Sequence, residues 1–266
     1  MQGELVQTAT PDGVTLHGFL AAPAAPRLAV LAVHDLYANF TTPPFLADLA
    51  AGLVDAGVAL LAANTRDHDG VIPPAPTVDM AEAARLDLAA WLDLLQVRGL
   101  ARVVLLGQGL GACKTAGYAE TGTDRRLAGL IWVSPPDHAA LVQRLGQRLD
   151  EALAWALLML EAGQADELIR LEGVGALPAR AIRDLFGLRG VLNRFDYADR
   201  AHDWGWLARI NLPLLALHTD ADPLSRPAAD CLALIERHAT ASPSVVTRAV
   251  PTEAVAPAVV EWVRAL

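Results

Sequence analysis

The sequence is short of lysine and serine, and its charge is mainly acidic. Its 266 residues include one lysine, Lys114, and four serines, at positions 134, 225, 242 and 244. The formal net charge is −9. Because phosphate recognition needs clustered lysine and arginine, this composition argues against a nucleic-acid partner. No apolar run reaches the roughly 18 residues of a membrane-spanning helix, since arginine or aspartate interrupts each candidate, so we expect no membrane partner.

Cysteine is also scarce. Cys113 and Cys231 lie far apart, with no CxxC motif and no histidine pair at ligand spacing. This pattern predicts neither a disulfide framework nor a metal site, and it gives no sign of a cofactor. The residues Met1-Gln-Gly-Glu-Leu contain neither a basic nor an apolar region of the kind that signal peptides have. We therefore expect a soluble, cytoplasmic protein.

Short apolar runs alternate with segments of helical periodicity. The buried strands that these runs predict cover residues 28–33, 58–63, 102–106, 127–133, 212–217 and 244–250. The helices that the periodicity predicts cover residues 44–56, 80–96, 227–238 and 254–265. An antiparallel hairpin, 4–9 with 14–20, is expected around Pro11-Asp12-Gly13. Alternating strands and helices of this length predict right-handed βαβ units and one mostly parallel sheet.

The periodicity changes between residues 139 and 207. No strand-like run stands out there, and the segment shows only helical stretches such as 148–162 and 179–186. We therefore predict a helical cap insertion at 139–207, with residues 1–138 and 208–266 forming the α/β core.

One stretch organises the rest of the chain: Arg102-Val-Val-Leu-Leu-Gly107-Gln-Gly109-Leu-Gly111-Ala-Cys113-Lys114. It has the pattern of a buried strand, a sharp glycine-rich turn and a helix. Around it, in order, come His34, Asn39-Phe40, Pro44-Phe45, Asn64-Thr-Arg66 with His68, and Ser134-Pro-Pro-Asp137. Together these segments resemble the α/β-hydrolase superfamily, above all its bacterial esterase-like members. The resemblance covers nearly the whole chain and implies a mostly parallel sheet of about eight strands flanked by helices.

The resemblance implies a serine nucleophile in the pattern G-x-S-x-G, a histidine base and an orienting acid. Here Gly107-x-x-x-Gly111 keeps the frame, but Gly109 stands at the nucleophile position. The histidine is expected within residues 250–256, and no histidine follows His238. The loss of either residue costs roughly a million-fold in the turnover of serine hydrolases, so the sequence argues against a serine acyl-enzyme.

Other parts of the implied machinery fall on residues that are present. The orienting acid falls on Asp222, and the two backbone amides of the oxyanion hole fall on Leu36 and Leu110. Asp35 replaces the glycine that the resemblance implies after His34. As a buried carboxylate, Asp35 is the best-placed general base, with His34 and Asp222 as further catalytic candidates. The alternatives are that Asp35 points to solvent or caps a turn, and that His34 is structural.

Loops at the carboxyl ends of parallel strands converge on one edge of the sheet. The further side chains that we expect to line a pocket there are Tyr37, Arg66, His68, Cys113, Asp137, His138 and His218. Four of them have a structural alternative. Arg66 and His68 would brace their loop, Asp137 would cap a helix, and Cys113 would pack in the core.

Three hypotheses follow for the function. In the first, the protein is a repurposed enzyme that binds a small, largely apolar molecule. It would catalyse an acid–base cyclisation, elimination or decarboxylation, or a water-based hydrolysis, with Asp35 as base and the amides of Leu36 and Leu110 stabilising an oxyanion. The second is a non-catalytic ligand binder or partner subunit. The third is a residual hydrolase with another nucleophile, such as Cys113. A homodimer is left open.

Overall fold

The apolar runs form the strands of one large sheet in the computed structural model, which describes residues 3–70, 78–187, 190–198, 202–219 and 227–266. The strands, in chain order, are β1 (Glu4–Ala9), β2 (Thr15–Ala21), β3 (Ala29–Val33), β4 (Ala59–Ala63), β5 (Val103–Gln108), β6 (Leu127–Val133), β7 (Leu168–Leu171), β8 (Gly175–Pro178), β9 (Leu214–His218) and β10 (Val245–Ala249). All but β7 and β8 belong to the main sheet, whose order is β1-β2-β4-β3-β5-β6-β9-β10.

The main sheet is mostly parallel. β1 and β2 form the predicted antiparallel hairpin, and β2 runs antiparallel to β4. Every other neighbouring pair is parallel. The six strands β3, β4, β5, β6, β9 and β10 therefore end at the same edge of the sheet. The prediction of a mostly parallel sheet of about eight strands is therefore confirmed.

Helices cover both faces of this sheet. They are α1 (Leu46–Asp55), α2 (Met80–Val97), α3 (Leu110–Glu120), α4 (His138–Leu145), α5 (Gln147–Glu161), α6 (Ala179–Phe186), α7 (Ala228–His238) and α8 (Val255–Arg264). Successive side chains of a strand point to opposite faces. Accordingly Leu31 of β3 packs in the core under α2 and α3, whereas Val30 packs in the core under α1 and α8. No helix in the described ranges is long and apolar enough to cross a membrane.

The segment between β6 and β9 adds no strand to the main sheet in its described part. It contains α4, α5 and α6, and also an antiparallel hairpin of β7 and β8. The expectation that this segment would be wholly helical is therefore wrong. Each of these strands has four residues, which is too short for apolar alternation to stand out in the sequence.

Candidate functional site

A sharp turn joins β5 to α3, and glycines are needed there because backbones approach one another closely. A Cβ atom on Gly107 would clash with the backbone of Gly111, and one on Gly111 would clash with the carbonyl of Val33. Gly109 has φ +52° and ψ −122°, a conformation that side-chain-bearing residues rarely adopt. The turn places the first amide of α3 beside the loop that follows β3.

The carboxylate of Asp35, from the loop after β3, lies against this turn. Its Oδ1 atom accepts hydrogen bonds from the backbone amides of Leu36, at 2.8 Å, and of Leu110, at 2.7 Å. A Cβ atom on Gly109 would lie well under 3.0 Å from Cγ and both oxygens of Asp35. The carboxylate therefore fills the space in which any side chain at position 109 would have to begin. The residue as a whole is exposed, so the expectation of a buried carboxylate is wrong.

His34 fixes the backbone next to Asp35. The buried ring accepts a hydrogen bond at Nε2 from the backbone amide of Thr65, at 3.1 Å. Because Nε2 accepts, the ring proton is on Nδ1, which donates to the carbonyl oxygen of Asp35 at 2.6 Å. Burial, aided by the charge of Lys114, lowers the pKa of His34 to about 4. Both ring nitrogens are thus engaged, which argues for a positioning role instead of the expected catalytic one.

A buried ion pair lies behind His34. The Lys114 ammonium donates to Oδ1 of Asp67, at 2.6 Å, and to the hydroxyl of Thr65, at 2.8 Å. Thr65 in turn donates to the same Asp67 oxygen at 2.6 Å. Burial alone would raise the pKa of Asp67, but the Lys114 charge and these hydrogen bonds outweigh it and lower the pKa. The pair joins the start of α3 to the loop after β4.

The comparisons with known proteins concern the fold. No protein-family model matches the sequence, and no curated protein does. Solved structures do match. A thermostable carboxyl esterase from Bacillus coagulans has a TM-score of 0.72 at 13% identity, covering 100% of this chain and 99% of that one. The protein Est1E from Butyrivibrio proteoclasticus has a TM-score of 0.65 at 14% identity, covering 98% of both chains.

An α/β-hydrolase-fold protein of unknown function has a TM-score of 0.70 at 15% identity, covering 99% of this chain and 94% of that one. This chain has the α/β-hydrolase fold. At such low identities the likeness concerns the fold alone. The resemblance seen in the sequence implies that the β5–α3 turn is the nucleophile elbow and that the amides of Leu36 and Leu110 form the oxyanion hole.

The two amides assigned to the oxyanion hole do converge, but they converge on Asp35. The sequence had suggested that Asp35 acts as a base while Leu36 and Leu110 stabilise an oxyanion. Those two roles exclude each other as long as the Asp35 carboxylate occupies both amide protons. The structure therefore corrects this combination, because one anion already fills the site.

Arg66 joins the loop after β4 to the β1–β2 turn and to α2. Its guanidinium donates to Asp12, at 2.6 Å, and to Asp87, at 2.8 Å, and its backbone amide also donates to Asp87. Asp87 is fully buried on α2, and the sequence reading missed it. His68, by contrast, is paired at 2.7 Å with Asp69, and both of these side chains are largely exposed. The side chains of both Arg66 and His68 are paired with carboxylates, which supports the bracing role for each.

Cys113 is fully buried on α3, one helical turn beyond Gly109. Burial raises the pKa of its thiol strongly. Because the thiolate is the reactive form, a thiol with a raised pKa is a poor nucleophile. The geometry therefore supports the packing role and speaks against the third hypothesis.

Asp137 caps α4, since its Oδ1 accepts the amide of Ala140 at 3.1 Å. Its Oδ2, both ring nitrogens of His138 and the hydroxyl of Tyr197 are buried without a hydrogen-bond partner among the described residues. Burial lowers the pKa of His138, whose Nδ1 lies 3.7 Å from the carboxylate of Asp196. Of these buried polar groups, the sequence indicated only Asp137 and His138.

Tyr37 and His218 are the remaining candidates among the described residues. Tyr37 is exposed, and its hydroxyl donates to the carbonyl of Val174, at 2.5 Å, so it ties the β7–β8 hairpin to the loop that carries Asp35. His218, buried at the end of β9, has its Nδ1 3.1 Å from the carbonyl of Thr219. Asp222 lies outside the described residues. In the described part of the chain, no group of His, Cys, Asp and Glu could hold a metal ion.

A groove of about 520 Å³ runs along the side of α3. Residues of α2, α3 and 190–194 line it, among them Arg85, Glu120 and Arg194. Arg85 is paired with Glu82, and Arg194 is paired with Glu120. Asp35 and Gly109 are not part of this lining, so the groove is distinct from the elbow.

Proposed function

We propose that this α/β-hydrolase-fold protein binds a small, largely apolar molecule and does not form a serine acyl-enzyme. The observation that carries the proposal is the hydrogen bonding of Asp35 Oδ1 to the amides of both Leu36 and Leu110. In a serine hydrolase such amides bind the oxyanion of the tetrahedral intermediate. Here a carboxylate of the chain itself holds them, beside a residue that has no side chain.

The geometry supports a non-catalytic binder best. Position 109 offers no nucleophile, the ring nitrogens of His34 are both engaged, and burial keeps Cys113 in its thiol form. Residual catalysis by an oxyanion hole alone reaches on the order of 10³-fold over water, and it requires amides that are free to bind the reacting oxygen. Both amides are occupied. The first function that we propose is therefore ligand binding without turnover.

A second candidate function rests on the other oxygen of the same carboxylate. No hydrogen bond within the described part of the chain uses Oδ2 of Asp35, and the residue is exposed. With Oδ1 anchored by two amides, Oδ2 is held in a fixed position where it can accept a proton from a ligand. In this alternative Asp35 is the general base of a proton-transfer reaction, and the amides orient the base instead of the substrate.

We further propose that residues 139–207 act as a cap over this edge of the sheet. Support comes from Tyr37, whose hydrogen bond to Val174 joins the β7–β8 hairpin to the loop of Asp35. A homodimer is part of the proposal as well. Helix α5 leaves Trp155 57% exposed and Leu158 53% exposed, which is unusual for large apolar side chains on one helix.

The test separates the two functions. Wild-type protein and the Asp35→Ala variant are incubated with p-nitrophenyl acetate and butyrate, and with a fluorophosphonate serine probe. We expect no covalent labelling and no release of p-nitrophenol above the buffer rate for either protein. Turnover that disappears in Asp35→Ala would replace the binder with the general-base enzyme. Labelling of any serine by the probe would refute the proposal as a whole.

A further inference from the structure

The Asp35 carboxylate reverses the hydrogen-bonding character of the elbow. An open oxyanion hole presents two donors and takes a ligand oxygen. Here Oδ1 of Asp35 uses both donors, and no hydrogen bond within the described residues uses Oδ2 of this exposed residue, so an acceptor remains. We infer that the edge beside Gly109 takes small molecules that carry a hydroxyl or ammonium group, and that it excludes carboxylates and acyl oxyanions. The inference rests on the proposed ligand-binding function in placing the ligand at this edge.

The first support is that the anchoring of Asp35 is local and complete. One donor, Leu36, is the next residue in the chain, and the other, Leu110, is the first residue of α3. The positive end of a helix macrodipole stabilises an anion at this position. Among the described residues no cationic side chain pairs with this carboxylate, and none donates a hydrogen bond to its second oxygen.

The second support is that the nearby cations are committed elsewhere. Lys114 is paired with Asp67, and Arg66 is paired with Asp12 and Asp87. All these pairs involve buried or half-buried groups. An incoming carboxylate would therefore meet the charge of Asp35 without a neutralising partner from these residues, whereas an ammonium or hydroxyl group would find an acceptor.

The third support comes from the loop after β6. Oδ2 of Asp137, a residue only 5% exposed, is a second carboxylate oxygen without a hydrogen-bond partner in the described residues. A buried acceptor of this kind is unfavourable unless a donor reaches it. Its loop leaves β6, the strand next to β5, so both unpaired carboxylate oxygens belong to loops at the same sheet edge.

The experiment compares three four-carbon probes: 1-butanol, n-butylammonium and butyrate. Binding to wild-type protein is measured by ligand-observed NMR titration. The decisive variant is Asp35→Asn. Its Oδ1 atom can keep both amide hydrogen bonds, while its NH2 group replaces the acceptor Oδ2 with a donor. We expect the wild type to prefer butanol or butylammonium over butyrate by about tenfold, as one charge-assisted hydrogen bond predicts. The alcohol and the amine separate a neutral donor from a cationic one.

In Asp35→Asn the order should reverse, with butyrate bound most tightly. In Asp35→Ala, which frees both amides, butyrate binding should increase as well. The same order of probe affinities in wild type and Asp35→Asn would overturn the inference. It would also be overturned if none of the probes bound measurably to the wild type, Asp35→Asn or Asp35→Ala. Ester turnover by the wild type would instead refute the proposed function, while leaving the order of probe affinities as the separate test of this inference.

Discussion

Asp35 and Gly109 are complementary: the carboxylate of one occupies the space that a side chain on the other would need. They are distant in the chain, yet a Cβ atom at 109 would lie well under 3.0 Å from the carboxylate. The two residues are thus a matched pair. A serine at 109 is compatible with this loop only if Asp35 is displaced, and Asp35 can reach the amides only because 109 is glycine.

Gly109→Ser should therefore destabilise the protein, by on the order of 2 kcal/mol, through the clash and the positive φ. In an Asp35→Gly background the clash is gone, and the cost of Gly109→Ser should fall by about 1 kcal/mol or more. Chemical denaturation of the four proteins in this cycle measures the coupling.

The matched control for this cycle is Gly122→Ser. Gly122 also has a positive φ, +63°, but a Cβ atom there would meet nothing within 4 Å. Its cost should be the same with and without Asp35. If Gly109→Ser lowered the free energy of unfolding by the same amount with and without Asp35, the two residues would not be a matched pair.

His34 should make stability depend on pH between its unfolded and folded pKa values. Burial and the Lys114 charge lower its pKa from 6.5 to about 4, so the unfolded chain takes up the proton first as the pH falls. The stabilising effect of neutral His34 is complete above pH 6.5 and is lost as the pH falls toward 4. A shift of this size corresponds to on the order of 3 kcal/mol.

Denaturation curves at several pH values between about 4 and 7 should show this loss in the wild type. His34→Gln keeps a donor and an acceptor but cannot titrate, so it should flatten the profile. His17→Gln, on an exposed strand residue, is the control. An unchanged slope in His34→Gln would mean that another group causes the pH dependence.

Removing the Lys114 ammonium should be among the most damaging single changes. Lys114→Met leaves the buried carboxylate of Asp67 without its cation, and breaking such a pair costs about 3–5 kcal/mol. Adding Asp67→Asn should recover part of the loss. The exposed pair of Arg85 and Glu82 is the control, since Arg85→Met should change stability by about 0.5 kcal/mol or less. Equal losses of stability in Lys114→Met and Arg85→Met would contradict a stabilising role of the buried Lys114–Asp67 pair.

Cys113 should be unreactive toward thiol reagents in the folded protein. It is fully buried and burial raises its pKa, so iodoacetamide should not modify it under native conditions. In guanidinium chloride both Cys113 and Cys231 should react, as mass spectrometry of tryptic peptides would show. Selective native labelling of Cys113 would revive the hypothesis of a cysteine nucleophile.

The sequence was sufficient for most of the main sheet because its central strands β3, β4, β5, β6 and β9 are mainly buried. The segment 127–133, for example, contains no charged or polar side chain, and β6 has these bounds in the structure. The hairpin of β7 and β8 was missed, because four-residue strands contain too few residues to show a period.

The site was harder to predict, because its key contacts join residues distant in the chain. The sequence pointed to Asp35, Leu36 and Leu110, but not to a hydrogen bond between Asp35 and Leu110, since a side-chain conformation decides it. The ion pair of Lys114 and Asp67 also depends on tertiary packing. Asp87 did leave a signal in the sequence, because it shares a face of the predicted helix with the apolar residues Leu88 and Trp91. In the structure that face of α2 is buried.

The central claim is that the amides of Leu36 and Leu110 hold Asp35, and hydrogen exchange at these two amides tests it most directly. In the wild type, both should exchange slowly and at similar rates, as expected for N–H groups that are hydrogen-bonded to one carboxylate oxygen. In Asp35→Ala, both should exchange at least about tenfold faster if each loses about 1.4 kcal/mol of protection, whereas Asp35→Asn should stay close to the wild type. Equal exchange at both amides in wild type and Asp35→Ala would show that Asp35 does not occupy the site, and would contradict the account.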